Sequence, residues 1–217
     1  QAEIGDCLRS FPAVAVLGPR RCGKSTLAQA VLASVKDSLY LDLELPSDAK
    51  KLTEPELFLN LHRHKVVCLD EIQRMPDLFL VLRALIDQRR QAGQFLILGS
   101  ASRDLIRQSS ETLAGRIAYL ELTPFLLPEI ASAGKRMNDY WMRGGFPESI
   151  LAASDADSLR WRHNFIRTFL ERDIPQLGIQ IPARSIERLW RMCAHYHGQM
   201  LNLSRIESGR ALDLVLG

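Results

Sequence analysis

The sequence predicts an α/β chain, with a mainly parallel sheet flanked by helices and a smaller all-α region after it. Three observations predict this. Val14–Leu17 is a short apolar run that ends in Gly18, and Gly-Lys-Ser-Thr at 23–26 then opens a helical pattern. Apolar runs at 66–69 and 95–98 alternate with helical periodicity, as expected of strands covered on both faces. From Pro128 onward no clear strand pattern appears until the last residues.

The elements follow in order. Residues 3–10 predict a short helix that runs into Phe11-Pro12. A strand at 13–17 leads through the glycine loop to a helix over about 24–35. Residues 38–44 alternate and predict a second strand, which Pro46 and Ser47-Asp48 break. Glu54 to Arg63 is helical, with Pro55 in the first turn, where its missing N–H costs nothing. The run from Lys65 to Asp70-Glu71 predicts a buried strand ending in two carboxylates. A helix from Pro76 to about Gln91 shows Leu78, Leu82, Leu85 and Ile86 on one face, and Gly93 stops it. Residues 94–100 predict another buried strand. A short helix at 102–108 follows, then Leu113-Ala114-Gly115-Arg116 and a strand at 117–122. The α/β domain therefore spans 1–130. Residues 131–206 predict a helical region, with helices at 138–143, at 155–172 and from Pro182. Ile186, Leu189, Trp190, Cys193 and His197 form the apolar face of the last one. Trp141, Trp161 and Trp190 are expected in the core or between helices, and His195 and His197 in helix packing.

The chemistry begins at Gly18-Pro19-Arg20-Arg21-Cys22-Gly23-Lys24-Ser25-Thr26, a G-x-x-x-x-G-K-S phosphate-binding loop. Gly18 and Gly23 let backbone N–H groups turn inward toward phosphate oxygens. The helix starting near Lys24 adds unpaired N–H groups and the positive end of its dipole. Lys24 brings a mobile charge to the β- and γ-phosphates. The Ser25 hydroxyl is suited to Mg²⁺, and Thr26 packs behind it. Asp70-Glu71, at the carboxyl end of an apolar strand, fits the Walker B element, with Asp70 facing Mg²⁺ and Glu71 polarising water.

Three further positions each carry two readings. Ser100, at a strand tip, either senses the γ-phosphate or caps a helix. Arg116 either reaches a γ-phosphate as a finger, from a neighbouring subunit, or forms an ordinary ion pair. Arg20 and Arg21 either touch nucleotide or are solvated. Arg160, Arg162, His163 and Arg167 make one helix basic, which fits a solvated face or a nucleic-acid backbone contact.

The chain has 217 residues, 47% hydrophobic and 24% charged, with a net charge of +3. That composition suits one large globular domain with an appendage, and a charge this small does not itself argue for nucleic acid. No run approaches the ~20 apolar residues that span a bilayer, and no signal peptide is visible. The chain opens at Gln1, so residues are expected upstream. Cys7, Cys22, Cys68 and Cys193 lack C-x-x-C spacing. They suggest no zinc or redox motif and fit a reduced, cytoplasmic setting.

Together these residues resemble a prokaryotic family of AAA+-like P-loop ATPases, in which an AAA_14 domain precedes a DUF4143 domain. Asp70-Glu71-Ile72-Gln73, Leu113-Ala114-Gly115-Arg116, Gly144-Gly145-Phe146-Pro147-Glu148 and Phe169-Leu170-Glu171-Arg172-Asp173 carry the resemblance, in the family's order and over about 1–206. It implies ATP and Mg²⁺, and a helical region leading to a winged-helix-like segment. The tail departs from the pattern. Residues 207–217 resemble a later strand of a nuclease-like fold, so residues are expected to be omitted between Ile206 and Glu207, and Asp213 receives no role.

The function expected is ATP binding and hydrolysis with Mg²⁺, coupled to conformational change or partner contact. A homo-oligomer and a DNA or protein partner are both compatible with this, and no membrane is involved. The alternatives are a nucleotide-gated switch or DNA-associated scaffold with little turnover, and a small-molecule kinase. Consecutive carboxylates at 70 and 71 favour water over an acceptor hydroxyl.

Overall fold

Five short runs form strands, and the three that become central are buried on both faces. The five are β1 (Ala13–Leu17), β2 (Ser38–Asp42), β3 (Val66–Asp70), β4 (Phe95–Gly99) and β5 (Ile117–Glu121). The structure, a computed structural model, describes residues 1–100, 103–134, 136–176 and 181–195. All strand pairs are parallel, in the order β2-β3-β4-β1-β5. β4 thus lies between β1 and β3.

The helices are α1 (Ala2–Ser10), α2 (Lys24–Leu32), α3 (Pro46–Lys51), α4 (Pro55–Leu61), α5 (Leu78–Arg89), α6 (Arg103–Thr112), α7 (Leu127–Ser132), α8 (Met137–Arg143), α9 (Pro147–Ile150), α10 (Asp155–Thr168), α11 (Ile174–Gln176) and α12 (Ala183–His195). Alternate strand residues feed two cores. Ala13, Ala15, Leu41, Leu69 and Ile97 pack with Leu59 of α4 and with Leu78, Leu82 and Leu85 of α5. Val14, Val16, Cys68, Leu96 and Leu98 pack with Ile4 and Leu8 of α1 and with Ala28 and Val31 of α2. The predicted α5 face is buried at all four of its positions, with Phe79 added.

Several expectations need correction. The second strand ends before Pro46 as expected, but Pro46 also opens a helix, α3, that the pattern did not show. The proline stands in the first turn, where no N–H is needed, and Asp48 accepts the Lys51 amine at 2.8 Å and the Asp42 N–H at 3.0 Å. Pro128 and Pro147 likewise sit in the first turns of α7 and α9. The long helix ends as α-helix at Thr168 and continues through one π turn, Phe169–Asp173. On α12, Ile186 and Met192 are buried, whereas Leu189 and Trp190 are exposed and so is Cys193. Trp141 is 79% exposed and is no core residue.

The chain packs as two units, Gln1–Ser158 and the residues from Leu159 on. Residues 131–158, expected with the helical region, therefore belong to the first unit. In the second unit Leu170, Ile174 and Ile186 form a small core. Trp161, Phe165, Phe169 and Trp190 stack in series, with ring centroids 5.0–5.9 Å apart. His197, the winged-helix-like segment and the 207–217 tail lie outside the described residues.

Candidate nucleotide site

Strand β1 aims the loop at the carboxyl edge of the sheet. Gly18 stands there because nothing larger fits: a Cβ on it would lie 2.1 Å from the Leu122 carbonyl oxygen. The Leu122 N–H donates to Leu17 O at 2.7 Å, which brings the two chains that close. Gly23 has φ 98° and caps α2, a left-handed conformation that glycine adopts without steric cost. Arg21 also has positive φ, at 64°.

Lys24 is buried, and its ammonium donates to the carbonyls of Gly18 (3.1 Å) and Pro19 (2.9 Å). Cys22 is buried too, and burial pushes its thiol pKa up. Thr26 follows Ser25 in the first turn of α2 but is exposed, so it does not pack behind the serine as expected.

Ser25 Oγ donates to Asp70 Oδ2 at 2.5 Å, joining the start of α2 to the end of β3. The Tyr40 hydroxyl donates to the same oxygen. Asp70 Oδ1 accepts the Glu71 N–H at 2.9 Å. Burial above all, and then Asp70, push the Tyr40 phenol pKa up. Glu71 has φ 57°, a conformation uncommon outside glycine. The side-chain amide of Gln73 donates to its carboxylate. Burial first and the Asp70 charge second raise its pKa, against the lowering effects of Lys24 and Arg20. A cavity of about 440 Å³ opens here, lined by Ser25, Gln29, Tyr40, Asp42, Asp70 and Glu71 among others.

Ser100 directly follows Gly99, the β4 partner of Leu17, so it stands at the same sheet edge as the loop. Arg116 does not. It directly precedes β5, and its carbonyl accepts the Ala13 N–H at 3.1 Å, at the opposite edge. Five strand residues separate it from the loop edge, roughly 16 Å at the usual rise. Its guanidinium pairs with Asp87 instead, with Nε 2.6 Å from Oδ1. A finger reaching this chain's own loop is therefore excluded.

The Gly-Gly-Phe-Pro-Glu segment comes to the loop. The Phe125 N–H donates to Gly145 O at 2.8 Å, and a Cβ on Gly145 would lie 2.4 Å from Phe125 O. Pro147 Cγ is 3.8 Å from where a Cβ on Gly23 would stand, and Arg21 donates to Glu148 Oε1 at 3.1 Å. Tyr40, Gln73 and Glu148 are the site neighbours to which sequence reasoning assigned no role. Strand alternation reads Tyr40 only as a β2 residue, and no spacing rule links it to position 70.

Residues 10–131 match the AAA domain family (AAA_14). The chain belongs to the AAA domain family. Beyond its AAA domain, residues 134–214 match a domain of unknown function, DUF8612, which replaces the DUF4143 domain expected from the motifs. Two curated relatives are the uncharacterized proteins Rv2008c of Mycobacterium tuberculosis and Mb2031c of Mycobacterium bovis. Each is 44% identical over 214 residues, 98% of this chain and 47% of the relative. The chain thus spans about half the length of the curated relatives it matches. Among solved structures, the Walker-type ATPase PABY2304 of Pyrococcus abyssi superposes with a TM-score of 0.58 at 14% identity, over 98% of this chain and 87% of that one. That likeness is one of fold, in keeping with the AAA family match. No helix among the described residues is long and apolar enough to cross a membrane.

Proposed function

We propose that this AAA domain binds ATP with Mg²⁺ at the Gly18–Thr26 loop and hydrolyses it, using the nucleotide state to change conformation or partner contact. The observation that carries this reading is the Ser25–Asp70 contact of 2.5 Å, next to a Lys24 whose ammonium is held on loop carbonyls. A hydroxyl and a carboxylate are hard oxygen donors. Mg²⁺ typically takes one or two such protein oxygens and fills its octahedron with phosphate and water, so this pair fits it. When bound, the ion neutralises charge on the β- and γ-phosphates.

The chain's own residues do the rest. The loop amides and the α2 N-terminus hold phosphate oxygens. Lys24 exchanges the Gly18 and Pro19 carbonyls for phosphate. Glu71, oriented by Gln73, accepts a hydrogen bond from the attacking water. Ser100 stands where it can orient that water or touch the γ-phosphate.

The position of Arg116 favours a second reading for the isolated chain, a nucleotide-gated switch with slow turnover. Its guanidinium can serve only a neighbouring subunit's site, so full turnover would require a homo-oligomer. A protein or DNA would receive the output, in the cytoplasm, and the basic residues Arg160, Arg162 and Arg167 make DNA the first partner to assay. Residues 131–206 would carry that coupling as a functional region, although 131–158 fall in the first compact unit.

The test is binding of a fluorescent ATP analogue and phosphate release, with and without Mg²⁺. Lys24→Ala should weaken binding by more than about tenfold. Glu71→Gln should keep ATP bound and lower release about 100-fold or more. Undiminished release by Glu71→Gln would refute hydrolysis at this site. Release that needs an added acceptor would indicate a kinase.

A further inference from the structure

Asp70 is held by donors from three directions. Ser25 Oγ from α2 and the Tyr40 hydroxyl from β2 share Oδ2, and the Glu71 N–H takes Oδ1. The register explains how Tyr40 reaches. β2 and β3 are parallel, with Tyr40 beside Cys68 and Asp42 beside Asp70. Tyr40, Cys68 and Asp70 therefore lie on one face, and the ring needs only the diagonal step forward along the strands. The Tyr40 ring packs in the α2-side core with Cys68, while its hydroxyl enters the cavity beside Ser25 and Asp70.

A cation that recruits Ser25 removes one of the two donors on Oδ2. What then keeps the carboxylate from turning is one donor per oxygen, the Tyr40 hydroxyl and the Glu71 N–H. We propose that Tyr40 is the positioning residue for the metal-facing carboxylate: its hydroxyl holds Asp70 Oδ2 while Ser25 leaves that oxygen for a divalent cation. This rests on the reading of Ser25 and Asp70 as the Mg²⁺ side of the nucleotide site. It does not depend on whether bound ATP is hydrolysed.

Tyr40→Phe keeps the ring and deletes only the hydroxyl. The experiment measures Mn²⁺ affinity by electron paramagnetic resonance in the presence of saturating ATP, and affinity for a fluorescent ATP analogue in EDTA. Tyr40→Phe should weaken Mn²⁺ by about tenfold, as loss of a ligand's outer partner typically does, and should leave metal-free nucleotide binding within twofold. A cycle on Asp70→Asn adds a second check. There, Tyr40→Phe should have no further effect on residual Mn²⁺ binding, even if it lowers the unfolding midpoint. Equal Mn²⁺ affinity in wild type and Tyr40→Phe would overturn the proposal. So would an equal loss in EDTA, or an undiminished effect of Tyr40→Phe in the Asp70→Asn background. If the wild type binds nucleotide in neither condition, the site reading itself falls and Tyr40 falls with it. A Tyr40 failure alone would leave wild-type Mg²⁺–ATP binding intact.

Discussion

Arg21 of the phosphate-binding loop donates to Glu148 Oε1 at 3.1 Å, across 127 residues of sequence. It ties the loop to the segment that follows α8. The same segment brings Pro147 against Gly23, so packing as well as charge holds the two together. The ion pair is the weaker part, since its side chains are 64% and 46% exposed. Exposed pairs contribute little once salt screens them. A double-mutant cycle of Arg21→Ala and Glu148→Ala, read by urea unfolding, should give a coupling below ~1 kcal/mol that fades in high salt. A larger, salt-insensitive coupling would mean that the pair is desolvated in solution.

Gly18 is constrained by space and Gly115 by backbone conformation, and the two should respond differently to alanine. A Cβ at Gly18 meets the Leu122 carbonyl at 2.1 Å, a backbone atom that cannot swing away. Gly18→Ala should cost about 1–3 kcal/mol, as overpacking does, and should displace the loop enough to impair nucleotide binding. Gly115 has φ 72° with nothing within 4 Å, so Gly115→Ala should cost about 1–2 kcal/mol from the left-handed conformation alone and leave binding intact. Urea unfolding and a binding titration on both variants check this.

The sheet was legible in the sequence because buried parallel strands need continuous apolar runs, and 13–17, 66–70 and 95–99 are such runs. The helix of residues 78–89 was legible through its face of three leucines and one isoleucine. Pro46 marked the end of the second strand, but the short helix it opens went unread, because a proline in a first turn has the same sequence signature as a break. The loop and Asp70-Glu71 were legible as a motif, and the structure places them at one sheet edge. Arg116 precedes its strand whereas the loop follows one, so a parallel sheet sets them at opposite edges. The Tyr40–Asp70 and Arg21–Glu148 contacts depend on register and on docking of distant segments, so nothing in their spacing announces them.

The cysteines should separate by burial. Cys22 and Cys68 are buried and Cys193 is exposed, with Cys7 between. Burial pushes the thiols of Cys22 and Cys68 up, Cys68 well above the ordinary value, and a protonated thiol is a poor nucleophile. In native protein at pH 7.5 (an ordinary assay condition near neutrality), iodoacetamide should modify Cys193 first and Cys7 more slowly. Cys22 and Cys68 should react only after denaturation. Peptide mass spectrometry over time reads this directly, and early labelling of Cys22 would show that the loop opens in solution.

Asp87 holds Arg116 at the far edge of the sheet, and pH should show how firmly. The hydrogen bond from Arg116, then the charge of that guanidinium, lowers the Asp87 pKa below the ordinary carboxylate value. A carboxyl whose pKa is lowered by folding adds stability at every pH above its unfolded value and loses it as pH falls through the folded value. Arg116→Ala should therefore lower the unfolding midpoint at neutral pH, and the gap to wild type should close on acidification below the ordinary aspartate range. Asp87→Asn should produce the same closing gap, and the double variant should show no more than either single one. The two variants must part company in catalysis if Arg116 serves a neighbour's nucleotide. Phosphate release that rises with protein concentration should survive Asp87→Asn, which frees the guanidinium, and vanish in Arg116→Ala, which deletes it. Equal loss in both would confine Arg116 to its ion pair.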